Sequence, residues 1–381
     1  MTETLHEKYV PVLHFARGEQ FFPMAIDDFA GYCTLRARGD AAPLAGRGEV
    51  TPDLLARAHR RRADVFLQSV SGSLADQNVA SRWGRDVVNL LADVSTKTSS
   101  WQLEAAKIAY RWFSPKTQEA TKLFWWNDLV MPLLGAGSRA KQDLPRLDLP
   151  PEIQQAAVEN YRASQPRRPN YTYYYRTTRE RQYLCLQYWF FYAYNDWATS
   201  HGGMNDHEGD WEGMYLFFAL DATGRPKEPP AYVTYVGHHS RLTKPWGHHD
   251  LTMEGTHPVG FVAAGSHATY PECKEYDLIK IYGLVDYATG DGITIEPGDW
   301  RRVDLDAQPW TSPFWGGWGT RYWVPVSSDS VVFSLLRAQP DEIELPGVSA
   351  PRGPRYADDG SVRPNWTRVV DWSGLADLVK G

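Results

Sequence analysis

At Tyr171 the grammar of the chain changes. From there on, apolar and aromatic runs of strand length (171–176, 182–194, 213–220, 231–237, 260–264 and 323–333) are separated by clusters of Gly, Pro, Asn and Asp. Short strands punctuated in this way predict a mostly antiparallel β-sandwich with its functional loops gathered at one end. Of the chain's 16 Trp and 21 Tyr, many crowd into residues 171–175 and 187–197, and aromatic side chains favour pleated, half-buried surfaces. They would fill an aromatic core, or wall a pocket while keeping a polar edge for hydrogen bonding.

The stretch before Tyr171 reads differently. Val10, Val12 and His14 alternate against Leu13 and Phe15 as in a strand, Arg17-Gly18 is a turn, and Ile26, Phe29 and Ala30 share one face of a short helix. Thr51-Pro52-Asp53 combines an N-cap, a proline at the first helical position and an acid in the first turn. Leu55, Ala58, Arg62, Val65 and Phe66 continue that helix, with Arg60, Arg61 and Arg62 as a solvated face. Further helices are expected over 87–94, 101–113 and 152–163, the last inside a proline-rich connector spanning 141–170. The predicted class is therefore α+β. Residues 1–40 belong to the sandwich, 41–170 form a helical insertion, 171–340 carry the sandwich and its site, and 341–381 are an irregular extension until about 371–379.

Composition narrows the partners. A net charge of -6 and a pI near 6.0 give no footprint for nucleic acid. The first residues carry acids and no apolar run, and no stretch approaches the ~18 apolar residues of a membrane span, so neither a signal peptide nor a transmembrane segment is expected. Three distant cysteines, Cys33, Cys185 and Cys273, suit a reducing, cytoplasmic setting.

The chemistry concentrates in Asn205-Asp-His-Glu-Gly-Asp-Trp-Glu212. Asp210 and Glu212 lie two apart at the start of a strand, so they share a face while Trp211 takes the other. Two such carboxylates repel unless a proton, an Arg or a metal ion lies between them, and His207 can fold back across Gly209 as a neutral nitrogen ligand. This donor set suits Mg²⁺, Mn²⁺ or Ca²⁺, with Zn²⁺ or Fe²⁺ possible if a second histidine joins. Asp196 ends the most aromatic strand and could reach the same rim. His238 and His267 follow strands at spacings that could return them there too, and His267, read as a partly exposed loop residue, should tolerate replacement by Ala within about 1 kcal/mol. His248-His249-Asp250 resembles a metal tract but sits in a Gly/Pro-flanked loop and is read as an accessory. Gly316-Gly317-Trp318-Gly319 lacks the Lys of a phosphate loop.

Several of these segments resemble a known family, that of vacuolar protein sorting-associated protein sixty-two and its plant, fungal and bacterial relatives. The matching pieces are Tyr9-Val-Pro-Val-Leu-His-Phe15, Glu19-Gln-Phe-Phe-Pro23, Gln187-Tyr-Trp-Phe-Phe-Tyr-Ala-Tyr-Asn195, His207-Glu-Gly-Asp-Trp-Glu212 and Val262-Ala-Ala-Gly-Ser-His-Ala-Thr-Tyr-Pro271. More distantly, a strand ending in an acid and followed by His-x-x-Asp-Trp-Glu is similar to the necrosis-inducing toxins of plant pathogens. Those β-sandwich proteins hold a divalent cation that helps bind a sphingolipid sugar headgroup. The resemblance implies His207, Asp210 and Glu212 as ligands here, with Asp196 as the fourth. The expected function is a divalent-metal-dependent hydrolase or lyase acting on a hydrophobic or cyclic small molecule, with His267, His238 and Glu212 catalytic. The alternatives are a cation-dependent binder of a lipid or glycan headgroup, and a scaffold with a structural cation.

Overall fold

The structure is a computed structural model that describes residues 4–38, 40–58, 65–70, 151–165, 170–197, 206–237, 240–279, 284–320, 323–324, 343–344, 350–357 and 360–378. In chain order its elements begin with α1 (Leu5–Lys8), β1 (Val12–Phe15), α2 (Ile26–Gly31), β2 (Thr34–Ala37), α3 (Pro52–Ala58), β3 (Val65–Gln68) and α4 (Pro151–Ser164). Strands follow: β4 (Thr172–Glu180), β5 (Tyr183–Asn195), β6 (His207–Ala219), β7 (Tyr232–Gly237), β8 (Ser240–Pro245), β9 (Met253–Glu254), β10 (His257–Val262) and β11 (Thr269–Tyr270). The remainder comprises β12 (Lys274–Ile279), β13 (Leu284–Ala288), β14 (Thr294–Ile295), β15 (Arg301–Asp304), β16 (Trp323–Val324), β17 (Ile343–Glu344), α5 (Pro364–Thr367), α6 (Val369–Trp372) and α7 (Leu375–Leu378).

The largest sheet runs β15-β4-β5-β6-β7-β8, antiparallel except for the parallel pairing of β15 with β4. Its centre is the 13-residue pair β5 and β6, in which every position except Ala219 is buried. A strand buried on both faces must be covered on both. One face packs through Tyr188, Phe190, Tyr192, Met214 and Leu216 against Leu13, Phe15 and Val262 of a second sheet. That sheet runs β11-β10-β1-β14, with β1 parallel to β10 from Val12↔Val259 to Phe15↔Val262 and antiparallel to β14. The first strand of the chain thus sits inside a sheet built from residues past 250. The opposite face, through Trp189, Phe191, Trp211 and Tyr215, meets α2, α4, β3 and the C-terminal helices.

The described residues form a β-rich chain with several sheets and few helices, and the helical insertion expected over 41–170 is not supported. The helix from Pro52 is described over Pro52–Ala58, and Val65–Gln68, expected to continue it, is a strand paired antiparallel with Thr34–Ala37. A short apolar run such as Val65-Phe66-Leu67 fits either period, and here a partner strand decides in favour of β. The helices expected over 87–94 and 101–113, the run Arg60, Arg61 and Arg62, and all but 323–324 of the strand expected over 323–333 lie outside the described residues. The C-terminal stretch is helical from Pro364, earlier than expected, and buries Trp366 against Trp189 with the Arg176 guanidinium 4.0 Å from its ring. No helix among the described residues is long and apolar enough to cross a membrane.

Candidate functional site

At the ends of β5 and β6 a cluster of buried charge forms. Tyr192 pairs with Asp210 and Phe190 with Glu212, so both carboxylates project from the face that meets the second sheet. Glu212 is fully buried and Asp210 nearly so. The Glu212 carboxylate also adds to the upward push on the Tyr192 and Tyr270 phenols, after burial and, for Tyr270, after Asp286. Glu212 thus faces the second sheet, on the side of its cross-strand neighbour Phe190.

Alternation alone would put Glu208 on the same side as Asp210. Gly209, at φ +65, interrupts it, in a conformation that glycine adopts without strain. Glu208 is consequently buried elsewhere, where its Oε1 accepts from Ser69 N (2.8 Å), Ser69 Oγ (2.6 Å) and Val70 N (3.0 Å), and its Oε2 from Thr320 N (2.9 Å). It pins the end of β3 and the 320 loop to β6. The glycines of the 316–319 run serve this approach: Gly317 bonds to Val65 and Leu67, and a Cβ at Gly319 would overlap Glu208.

His207 opens β6 opposite Asn195 and is buried. Its Nδ1 is 2.8 Å from Gly209 O. A carbonyl only accepts, so Nδ1 carries the hydrogen. Asp196 is buried one residue beyond β5, with Gln154 Nε2 of α4 donating to its Oδ2 at 2.5 Å.

His267 arrives from the loop between β10 and β11. It is fully buried, unlike the partly exposed residue expected from sequence, and it is a non-glycine residue at φ +58, a strained setting that surrounding contacts must hold. Nδ1 donates to Asp210 Oδ2 (3.1 Å), Nε2 lies 3.5 Å from Glu19 Oε1, and the ring stacks on Tyr192 with centroids 3.9 Å apart and planes 4° from parallel. Burial by itself would depress the imidazole, but Glu19 and Asp210 raise it to about 9. His267 thus keeps its proton at neutral pH, which suits an electrostatic partner or a proton donor better than the general base assigned to it. Burial would raise Glu19, yet His267 and the amides of Phe21 and Gly265 carry it below the usual carboxylate value.

The loop is pinned on both sides. Gly265 N donates to Glu19 Oε2 (2.9 Å) and Asp196 N donates to Gly265 O (2.9 Å). A Cβ at Gly265, φ +69, would stand 2.1 Å from Asp196 O. Asn195 Nδ2 donates to Asp210 Oδ2 (3.2 Å) and lies 3.4 Å from Ser266 O. Behind the loop, Asp286 accepts from Ser266 Oγ (2.9 Å) and Tyr270 Oη (2.7 Å).

The structure thus joins Asp210 directly to His267 and brings the backbone of Asp196 against the loop that carries it. Glu212 shares their face, and His207 opens the same strand. His238 lies outside the described residues. Sequence reading missed Glu19, Tyr192, Asn195, Glu208 and Asp286 as members of these networks. Only the acidic character of Glu208 beside His207 was a local signal. Among the described residues, three metal-type ligand atoms within 4.8 Å of one another occur at His248, His249 and Asp250.

No family model matches the chain, and no curated protein matches it. Among solved structures it is similar to necrosis and ethylene inducing protein 2 from the causal agent of cocoa's witches' broom disease, at 13% identity and a TM-score of 0.26, over 44% of this chain and 68% of that one. It is also similar to NLPPya in complex with mannosamine, at 11% and 0.24, over 38% of this chain and 56% of that one. The non-toxic HaNLP3 protein is similar at 12% and 0.25, over 46% of this chain and 70% of that one.

Proposed function

We propose that the two packed sheets are a β-sandwich whose buried cluster at the β5 and β6 ends holds a divalent cation. Asp196, His207, Asp210 and Glu212 would be its ligands, in a metal-dependent hydrolase or lyase acting on a hydrophobic or cyclic small molecule. The observation that carries the reading is the burial of Asp210 and Glu212 on one face of the strand that His207 opens, with the His207 Nδ1–H already spent on a backbone carbonyl. That second hydrogen bond is the usual way a ligating imidazole is oriented. Hard carboxylate oxygens with one nitrogen suit Mg²⁺, Mn²⁺ or Ca²⁺. A bound cation would polarise a carbonyl and lower the pKa of water. The chain's own residues would position it: Asn195 and His267 fix the Asp210 carboxylate, and Glu212 would serve as the base. The free Cys33, Cys185 and Cys273 fit a cytoplasmic protein.

A second reading, a cation-dependent binder of a lipid or glycan headgroup without turnover, is favoured by one observation: His267 is locked between two carboxylates and is unsuited to accept a proton. Metal analysis of protein purified without chelator, followed by Mg²⁺, Mn²⁺ and Ca²⁺ titrations of wild type and Glu212→Gln, tests both. Absence of metal together with equal, negligible affinities would sink them. Metal-dependent cleavage of an ester or lactone panel selects the enzyme, and binding without cleavage selects the binder.

A further inference from the structure

We propose that His248, His249 and Asp250 form a second, surface site for a borderline transition ion, zinc or copper, separate from the cluster around Asp210. The three residues occupy the turn that follows β8. His248 N donates to Pro245 O (3.1 Å), Leu251 N donates to His248 O (2.9 Å), and Gly247 at φ +80 reverses the chain. The two imidazoles stack with centroids 4.3 Å apart, so both leave the turn on the same side. His249 Nε2 lies 2.8 Å from Asp250 Oδ1, and His248 Nδ1 lies 3.5 Å from Asp250 Oδ2. These are ion-pair separations, and the three ligand atoms all lie within 4.8 Å of one another, near enough for a small adjustment to bring them onto one ion.

The donor set selects the ion. Two imidazoles and one carboxylate favour zinc, copper or nickel, whereas Mg²⁺ and Ca²⁺ prefer oxygen donors. His248 Nδ1 accepts from the Asp250 amide (3.2 Å), so its single lone pair faces into the turn and an ion taking that nitrogen must displace the amide hydrogen bond. His249 is almost wholly exposed, with 87% of its side chain in solvent, which leaves the outer side of the ion open to water or a further ligand and lets the ring adjust at little cost. A competitor is built in: the Lys244 ammonium holds Asp250 Oδ2, so an incoming ion must displace it or bind through Oδ1.

That competition gives the test a direction. Zn²⁺ and Cu²⁺ are titrated calorimetrically in excess Mg²⁺ into the full chain and into His249→Ala and Lys244→Met, with melting in chelator as the control for folding. The site predicts binding that weakens about tenfold or more in His249→Ala and tightens in Lys244→Met. Equal affinity in His249→Ala, or a Lys244→Met affinity no tighter than wild type, overturns it, as does wild-type protein that binds neither ion.

Discussion

Replacing His267 by alanine should cost far more than loop position alone suggests. The imidazole is fully buried, and its ordinary value of 6.5 rises to about 9 between Glu19 and Asp210. A rise of that size is a preference of about 3 kcal/mol for the charged form in the folded chain. Removing one partner of a buried charged network generally costs about 3–5 kcal/mol, because the remaining charges stay buried. His267→Ala is therefore expected to lose about 3–5 kcal/mol, and His267→Gly about 1 kcal/mol less, since glycine occupies φ +58 without strain. The sign of the pH dependence follows from a raised folded value. The charge contribution is complete below pH 6.5, declines as pH climbs, and is gone above about 9. Urea unfolding of wild type and both variants at pH 6, 7.5 and 9.5, with chelator present, measures it. A loss under about 1 kcal/mol at pH 6, or a gap that does not narrow by pH 9.5, would refute the charged-network account.

Glu208→Ala strips the acceptor from three backbone amides and the Ser69 hydroxyl. At about 1–3 kcal/mol for each orphaned buried donor, it should unfold at much lower urea than Glu208→Gln, and equal midpoints would contradict this. Tyr270→Phe leaves Asp286 short of one of its two donors and should cost about 1.5–3 kcal/mol, read as a fall in thermal midpoint; an unshifted midpoint would dismiss the network. A chain beginning at Tyr171 lacks β1, the strand between β10 and β14, and should be insoluble; a soluble, cooperatively melting fragment would argue against that role.

The residues that share a face were legible in the sequence, because strand periodicity is local. The strands expected over 171–176, 182–194 and 231–237, seen at Thr172–Glu180, Tyr183–Asn195 and Tyr232–Gly237, and the placement of Asp210 and Glu212 together opposite Trp211, follow from period two and residue type. What meets across space was not legible. Glu19 reaches His267 only because β1 enters the second sheet beside β10, a pairing that joins residues nearly 250 positions apart. Val65–Gln68 is a strand only because Thr34–Ala37 lies alongside it. Gly209 turns Glu208 away from Asp210 through a backbone angle that alternation cannot foresee. The same holds for the charge on His267: a histidine in a Gly-Ser-His turn reads as a solvated loop residue, and only its enclosure between two carboxylates, with water excluded, decides that it stays protonated and fixed.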